Sequence, residues 1–436
     1  MTSPNFALHA DAIIPVAGPE NIVTGKSLIV RNGLIDDIVT TADALQLVDV
    51  AQIDLPGHTL MPGLINAHGH AAMTLLRGYA DDLPLDRWLN EKIWPLEGKW
   101  VAPDFVRDGT EIAAAEMILS GITTTSDMYF FPDVAAQALR SSGMRTQIVF
   151  PIMNIPTSWA TDAREYLDKG LALRDHFRSD DLVDVGLGPH STYTVDESLL
   201  STTAMFANEL DAAVQIHLHE TAAEVLAHVD VMGERPIDTL ARIGLLGPRT
   251  QCVHMTDLGT QDIDTLVQHG AHVVHCPRSN MKLASGACPV ARLKVSGVNV
   301  AIGTDGAASN NKLNGLAEMQ AASLLAKLQS GDPTALPAIE SIKAATLDGA
   351  RALGLDGVTG SLEVGKSADI IALDTASLSM GPSHCVESDI VYASSGNEVT
   401  WSWIAGKNVL KNRQLQTLDK DALAHKAQVW RAKLFT

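Results

Sequence analysis

Residues 60–70 read LMPGLINAHGH, an apolar run that ends in two histidines separated by one glycine. Seven further runs of apolar, strand-like residues follow it: GITTTSDMYF (121–130), RTQIVFPIMN (145–154), LVDVGLGPHST (182–192), AAVQIHLHE (212–220), RTQCVHMTD (249–257), AHVVHCPRSN (271–280) and VNVAIGTDGA (298–307). A segment long enough for a helix follows each run, which favours parallel strands joined by crossover helices. Eight such units predict an α/β fold, a TIM-type (β/α)8 barrel.

Strand-like runs at both ends of the chain predict a small β-sandwich beside the barrel. Residues 27–31 and 34–39 flank Asn32-Gly33, a dipeptide typical of tight hairpin turns. Strand-like runs occur again in ADIIALD (368–374) and in VTWSWIAGKNVLK (399–411), the second of which is interrupted by Gly406. We therefore predict three parts: the first half of the sandwich (1–58), the barrel (59–364), and the second half of the sandwich (365–436) with a terminal helix over 420–433.

The composition excludes several classes of function. The chain carries 51 acidic and 32 basic side chains, for a formal charge of -19, and it has no Lys/Arg cluster for binding nucleic acid. It has no apolar run long enough to cross a membrane. The N-terminus lacks the pattern of a secretory signal, and the cysteines are not paired in spacing, so we expect a cytoplasmic protein: Cys252, Cys276, Cys288 and Cys385.

Polar residues follow the apolar runs where the barrel strands are expected to end, the face on which such barrels build their sites. His68 and His70 are two residues apart, so the strand period aims both rings at one face. His217 ends the fifth run and Asp305 ends the eighth. Three imidazoles and one carboxylate suit zinc or a similar divalent ion.

Taken together, MPGLINAHGH, HLHE, VHMTD and GTDGAASNN resemble the amidohydrolase superfamily, in particular its 5′-methylthioadenosine and S-adenosylhomocysteine deaminases. The resemblance covers almost the whole chain, including GSLEVGKSADIIALD (360–374). It implies that His68, His70, His217 and Asp305 hold one metal ion, with Zn²⁺ expected, and that water occupies an open position. The third and fourth runs contain no lysine to bridge a second ion, so a single ion is expected.

The resemblance also implies the chemistry of the site. Asp305 would accept a proton from water, and Glu220, three residues after His217, would protonate a ring nitrogen of the substrate. His254 would hydrogen-bond the attacking group or the intermediate. The reaction implied is attack at C6 of an adenine ring with loss of ammonia.

The substrate pocket is expected under a lid formed by residues 78–100. The resemblance implies that Glu97 binds the ribose hydroxyls, that Trp88 borders the nucleoside, and that His190 contacts the sugar or base. Relatives that accept S-adenosylhomocysteine clamp its carboxylate with arginines, whereas here Phe150 stands near the expected strand position and Arg164 follows as a substitute. We therefore expect 5′-methylthioadenosine to be preferred, with adenosine weaker.

Two alternatives remain beside the nucleoside deaminase. One is an aminohydrolase or dechlorinase on the same scaffold that acts on a free heterocycle such as guanine, cytosine or a triazine. The other is a non-catalytic scaffold, which the complete ligand set argues against. Homo-oligomerisation and the roles of His219, His272 and His275 are left open, and Cys276 is expected to pack in a strand.

Overall fold

The strands of the chain form two sheets in the computed structural model, which describes residues 4–434. In chain order the strands are β1 (Phe6–Ile13), β2 (Val23–Thr24), β3 (Lys26–Arg31), β4 (Leu34–Thr40), β5 (Ala51–Pro62), β6 (Leu64–Asn66), β7 (Ile122–Asp127), β8 (Arg145–Ile152), β9 (Val183–Pro189), β10 (Val214–Leu218), β11 (Thr250–His254), β12 (His272–His275), β13 (Val300–Ile302), β14 (Ile370–Asp374), β15 (Val399–Ile404), β16 (Lys407–Lys411) and β17 (Gln414–Leu415).

The eight strands β6 to β13 pair in chain order and in parallel, so the predicted barrel is confirmed. The first and last of them meet just beyond the strand ends. The Ala67 N–H donates to the Ile302 carbonyl at 2.9 Å, and the Asp305 N–H donates to the His68 carbonyl at 3.0 Å. This closure brings the residues after β6 beside those after β13.

Three buried glutamines inside the barrel donate to one another in a chain that ends at the first histidine of the predicted site. Gln251 donates to Gln147 at 2.8 Å, and Gln215 donates to Gln251 at 2.5 Å. Gln215 also meets the His68 ring at 2.6 Å. Buried amides that satisfy one another in this way form a rigid floor beneath the site.

Strands from both ends of the chain lie in one nine-stranded mixed sheet in the order β17-β16-β15-β14-β5-β1-β3-β4, with β2 paired to β1. The Asn32-Gly33 turn joins β3 to β4, with φ of 52° and 84° at its two residues, as the dipeptide predicts. β5 ends at Pro62 and β6 begins at Leu64, so the chain passes directly from this sheet into the barrel. The boundaries proposed at 58/59 and 364/365 stay a prediction.

Most helices lie around the barrel or in the connections after its strands, whereas the first helix packs against β3 and β4 of the other sheet. They are α1 (Thr41–Ala44), α2 (Leu85–Arg87), α3 (Trp94–Trp100), α4 (Pro103–Leu119), α5 (Pro132–Ser142), α6 (Ala163–Phe177), α7 (Glu197–Leu210), α8 (Ala222–Met232), α9 (Pro236–Arg242), α10 (Thr260–His269), α11 (Pro277–Lys282), α12 (Val290–Val295), α13 (Ala307–Asn310), α14 (Gly315–Ser330), α15 (Ala338–Ala344), α16 (Leu347–Ala352), α17 (Val386–Tyr392) and α18 (Lys420–Leu434), with a 3₁₀ turn at Ala71–Leu76 and a π-helical turn at Trp88–Ile93.

Local sequence sets where these helices begin and end. The side chains of Asp162, Asp196 and Thr221 accept backbone N–H groups at the starts of α6, α7 and α8. Gly143 and Gly270 end α5 and α10 with positive φ. The predicted terminal helix is present as α18. No helix within residues 4–434 has the length and apolar character needed to span a bilayer.

Candidate metal centre and active site

The four residues predicted as metal ligands lie together at the carboxyl end of the barrel. His68 and His70 follow β6, His217 lies in β10, and Asp305 follows β13. The Nε2 atoms of His68 and His217 are 3.2 Å apart, and Asp305 Oδ1 lies 3.6 Å from His68 Nε2 and 3.3 Å from His70 Nε2. The ligand atoms of His68, His70 and Asp305 all lie within 4.8 Å of one another.

Hydrogen bonds at the outer ring nitrogens fix the ring orientation and the tautomer of the three candidate histidine ligands. His68 Nδ1 lies 2.6 Å from Gln215 Oε1, His70 Nδ1 lies 2.5 Å from the Met128 carbonyl, and His217 Nδ1 lies 2.8 Å from the His190 carbonyl. Each of these oxygens only accepts, so each Nδ1 donates and each Nε2 keeps its lone pair. In the neutral rings all three lone pairs therefore belong to the inner nitrogens: those of His68 and His70 face Asp305, and that of His217 lies beside His68.

Asp305 is held by hydroxyls and by its own backbone conformation. Its Oδ2 accepts from Ser279 at 2.6 Å and from Ser309 at 3.1 Å, which leaves Oδ1 facing the histidines. Burial opposes ionisation of this carboxyl, but the neighbouring His68 and His70 rings outweigh it and hold the pKa of Asp305 well below the usual range. The φ of 61° at Asp305 is a strained value for a residue other than glycine, and such strain is common at functional sites.

This donor set fits a divalent metal ion. The imidazole Nε2 atoms of His68, His70 and His217 and one carboxylate oxygen of Asp305 converge, and each outer ring nitrogen is oriented by an oxygen acceptor, as in known metal centres. Without a cation, a carboxylate and three lone pairs would face one another at a cost in free energy. The four side chains are therefore able to hold a divalent ion at this end of the barrel.

Two further predicted residues, Glu220 and His254, lie beside the ligands. Glu220 Oε2 is 3.6 Å from His254 Nε2, and Ser285 Oγ donates to Glu220 Oε1 at 3.3 Å. Burial, together with the negative charge of Asp305, raises the pKa of Glu220 to about 8. Glu220 is thus protonated near neutral pH and can act as a proton donor.

A largely apolar cavity of about 260 Å³ opens onto the metal centre. Trp88, Glu97 and His190, all predicted to contact substrate, line this cavity together with Glu220. The Tyr129 hydroxyl donates to Glu97 Oε1 at 2.6 Å, and burial raises the pKa of Glu97 to about 7. Burial and neighbouring histidines lower the pKa of His190 to about 3, so its ring is neutral.

Phe150 and Arg164, the other two residues predicted to bind substrate, do not line this cavity. The Phe150 ring is fully buried and packs against Gly170 of α6, where an added Cβ would come within 2.2 Å of it. Pro151 and Met153 line the cavity instead. Arg164 lies at the start of α6 with 89% of its side chain exposed and pairs with Asp168, one helical turn away. The interpretation of both as substrate contacts is corrected here: the resemblance indicated their sequence positions but not which way their side chains point.

Several residues that shape the site were missed by the sequence analysis. Gln215 lies two residues before His217, so the strand period already placed both on one face. Ser279 and Asn280 follow the seventh barrel strand, where polar residues were a signal that was not used. Asn280 Nδ2 lies 3.0 Å from His254 Nδ1. Nothing local in the sequence indicated that Tyr129 would hold Glu97.

The remaining histidines and Cys276 lie outside the ligand set. The His219 ring contacts the Asp257 carbonyl at 2.9 Å and accepts the Ile237 N–H at 3.2 Å, so it supports the start of α9. His272 lies on the barrel strand β12 and contacts the Pro248 carbonyl at 3.1 Å. His275 is buried at the end of the same strand. Cys276 is fully buried in an apolar cluster, where burial raises the pKa of its thiol.

Comparison with known proteins adds to this geometry. Residues 59–409 match the model of the amidohydrolase family. A 5-methylthioadenosine/S-adenosylhomocysteine deaminase of Teredinibacter turnerae is 50% identical, covering 99% of this chain and 98% of its own. A 5′-deoxyadenosine deaminase of Methanothermobacter thermautotrophicus is 41% identical, covering 97% and 98%. The crystal structure of an adenosine deaminase from Xanthomonas campestris with bound zinc is 42% identical, has a TM-score of 0.97 and covers 99% and 98%.

Proposed function

The chain belongs to the amidohydrolase family, and from this premise we propose that it hydrolytically removes the C6 amino group of an adenine nucleoside, with 5′-methylthioadenosine preferred. The products are ammonia and the corresponding inosine-type nucleoside. The observation that carries the proposal is the convergence of the three Nε2 atoms and the Asp305 carboxylate beside Glu220 and His254. Relatives that carry this activity in their names support the choice of substrate class.

We propose that a single divalent ion, Zn²⁺, is held by His68, His70, His217 and Asp305. When bound, such an ion lowers the pKa of coordinated water to about 7 and so supplies a nucleophile near neutral pH. A single ion is proposed because β8 and β9 contain no lysine that could bridge a second one.

The side chains around the ligands can supply the proton transfers that deamination needs. Glu220, neutral because of its raised pKa, donates a proton to ring atom N1 as water adds to C6. The carboxylate of Asp305 accepts the proton that the attacking water loses. His254 donates a hydrogen bond to the oxygen that adds at C6. Asp305 then passes its proton to the exocyclic nitrogen and ammonia leaves. The C6 hydroxyl gives its proton back to Glu220 as the carbonyl of the product forms, which restores both side chains to their starting states.

Glu97 is proposed to recognise the sugar. Its carboxyl group lies in the cavity wall on α3, and one oxygen already accepts the Tyr129 hydroxyl. A carboxylate retains lone pairs for two further hydroxyls, so it can accept the vicinal pair of a ribose. Trp88, whose Nε1 donates to the Ala80 carbonyl at 2.9 Å, would border the nucleoside with its ring.

The 5′ end of the substrate is proposed to be small and apolar. Among the described residues that line the cavity, none is lysine or arginine, whereas Met153, Ile155 and Pro156 are all apolar. A carboxylate such as that of S-adenosylhomocysteine would lose its hydration there without gaining a cation. 5′-Methylthioadenosine should therefore have the higher kcat/KM, with adenosine lower because its 5′ hydroxyl would be desolvated.

A hydrolase of a free heterocycle is the competing function on this scaffold. The buried Glu97–Tyr129 pair argues for the nucleoside, because a bare purine, pyrimidine or triazine has no hydroxyl pair for Glu97 to bind.

The proposal is tested by an ultraviolet and ammonia-release assay on 5′-methylthioadenosine, S-adenosylhomocysteine, adenosine, guanine and cytosine, with metal content measured on the same preparation. Turnover of 5′-methylthioadenosine with the highest kcat/KM is the expected result. Preference for a free base would reject the nucleoside assignment, and comparable efficiency on S-adenosylhomocysteine would reject the ordering.

A further inference from the structure

One segment after β12 contacts three groups of the site. In and just after α11, Ser279 Oγ donates to Asp305 Oδ2 at 2.6 Å, Asn280 Nδ2 lies 3.0 Å from His254 Nδ1, and Ser285 Oγ donates to Glu220 at 3.3 Å. The backbone of Asn280 is fixed on both sides, since its N–H donates to the Cys276 carbonyl and its carbonyl accepts from Ser285, each at 3.0 Å. This segment is thus a rigid support for side chains that lie at or just after the ends of three different barrel strands.

The contact between Asn280 and His254 determines where the hydrogen of the His254 ring lies. An amide nitrogen only donates, so Nδ1 of His254 accepts and its ring hydrogen is on Nε2. The opposite orientation of the amide would turn the Nε2 lone pair toward Glu220 Oε2, which lies 3.6 Å away. An N–H on Nε2 can donate to Glu220 in both protonation states, because each keeps an acceptor oxygen, whereas a lone pair there would be repelled once Glu220 has given up its proton. The geometry therefore favours the tautomer with hydrogen on Nε2.

His254 carries its ring hydrogen on the other nitrogen from the three histidines around it. His68, His70 and His217 each donate from Nδ1 to an oxygen and present an Nε2 lone pair. A ring nitrogen of His254 lies within 4.8 Å of the ligand atoms of His68 and His217, so distance alone does not exclude it from the ligand set. The difference lies in the partner of Nδ1, which is a donor for His254 and an acceptor for the other three.

We propose that Asn280 is a positioning residue that holds His254 in the Nε2–H tautomer, so that His254 donates a hydrogen bond to the reacting groups and does not act as a further nitrogen ligand. Asn280 is fully buried, and its Oδ1 has no hydrogen-bond partner among residues 4–434. A buried amide with one unsatisfied end is unfavourable for folding. The hydrogen bond from Asn280 Nδ2 to His254 accounts for the presence of this amide.

The test is Asn280→Asp, a change of the same shape that replaces the donor with an acceptor. In the zinc-loaded protein, nitrogen NMR of the His254 ring should show hydrogen on Nε2 in the wild type and on Nδ1 in the variant. We expect kcat to fall about 100-fold, as when a hydrogen-bond donor to a transition state is lost. KM should change little, because Glu97, Trp88 and His190 are untouched.

The kinetic part rests on the proposed deamination, whereas the tautomer is read without substrate, so the two can fail separately. If Asn280 acts through His254, then Asn280→Asp should cause no further loss of kcat in a His254→Ala background. Asn208→Asp, on the exposed face of α7, adds the same charge as a control and should keep wild-type kcat. Hydrogen retained on Nε2 in Asn280→Asp, kcat within twofold of wild type, or additive losses in the double variant would each overturn the proposal.

Discussion

Arg145 and Asp369 form a buried ion pair that joins the barrel to the sheet made from the two ends of the chain. Arg145 is the first residue of β8, and Asp369 directly precedes β14. Arg145 Nε lies 2.9 Å from Asp369 Oδ2, with 6% and 0% of the two side chains exposed. Asp369 also accepts the Ala405 N–H at 2.7 Å. Burial opposes ionisation of Asp369, but the charge of Arg145 outweighs it and lowers the pKa of the carboxyl.

Asp369→Asn should lower the free energy of unfolding by about 3 kcal/mol, because it leaves a buried guanidinium without its counter-charge. Urea denaturation followed by circular dichroism measures the loss. The control is Asp168→Asn, which removes the exposed partner of Arg164 and should leave the denaturation midpoint almost unchanged. A similar midpoint for both variants would show that the buried pair does not stabilise the junction.

The barrel and the clustering of the candidate metal ligands could be predicted from the sequence because both depend on periodic patterns. Parallel strands buried on both faces produce apolar runs, and their carboxyl ends meet at one rim, so His68, His217 and Asp305 could be placed together although they are far apart along the chain. The Asn32-Gly33 hairpin was predictable for a local reason, since both residues need positive φ.

The partners of these residues could not be predicted in the same way. Contacts such as Tyr129 with Glu97 and Asn280 with His254 depend on where long loops return over the barrel rim, and loop geometry has no sequence period. The side-chain direction of Phe150 depends on packing against α6, and a match of sequence position does not specify that direction. Sequence patterns thus locate the candidate ligands, whereas tertiary packing sets the orientation of their side chains.

Glu220→Gln should keep the metal and lower kcat by about 100-fold or more, because an amide cannot deliver a proton to the substrate ring. Steady-state kinetics on 5′-methylthioadenosine, with metal content determined on the same sample, measure both effects. Glu224→Gln is the matched control, since Glu224 is half-buried and lies outside the cavity lining, and the glutamine oxygen can still accept the Glu220 N–H that Glu224 accepts at 2.8 Å. It should keep kcat within about threefold of the wild type. A Glu220→Gln variant with a near-normal rate would remove Glu220 from the proton transfer.

The KM for a nucleoside should rise as the pH falls below 7. Burial raises the pKa of Glu97 to about 7, and the ionised carboxylate is the better acceptor for ribose hydroxyls. Because only the ionised fraction binds well, KM should increase about tenfold from about pH 8 to about pH 6. Glu97→Gln should have a higher KM throughout and lose this pH dependence. An equally steep pH dependence in Glu97→Gln would assign the titration to another group.

Substrate choice at the 5′ end should respond to a new cation in the cavity wall. Ile155 lines the cavity and is 44% exposed, so a longer side chain can be accommodated there. Ile155→Arg should raise the ratio of kcat/KM for S-adenosylhomocysteine over 5′-methylthioadenosine about tenfold, through a charge-assisted hydrogen bond to the carboxylate. Ile155→Gln adds polarity without charge and should leave the ratio near the wild-type value. Equal ratios in both variants would mean that the carboxylate does not reach this wall.

Removal of the metal should abolish turnover. The affinity of the protein for zinc should depend on the buried glutamine that contacts His68. Gln215 Oε1 accepts from His68 Nδ1 at 2.6 Å and so orients the first ligand. Gln215→Leu should weaken zinc binding by about 10- to 100-fold, the usual effect of losing such an orienting partner. Competition with a chromophoric chelator gives the affinity of each variant. Gln147→Leu is the control, because Gln147 belongs to the same buried chain but does not contact His68, and it should bind zinc almost as the wild type does. If both variants lose affinity equally, the cause is general loosening of the barrel interior, whereas a selective loss in Gln215→Leu assigns the orientation of His68 to this one hydrogen bond.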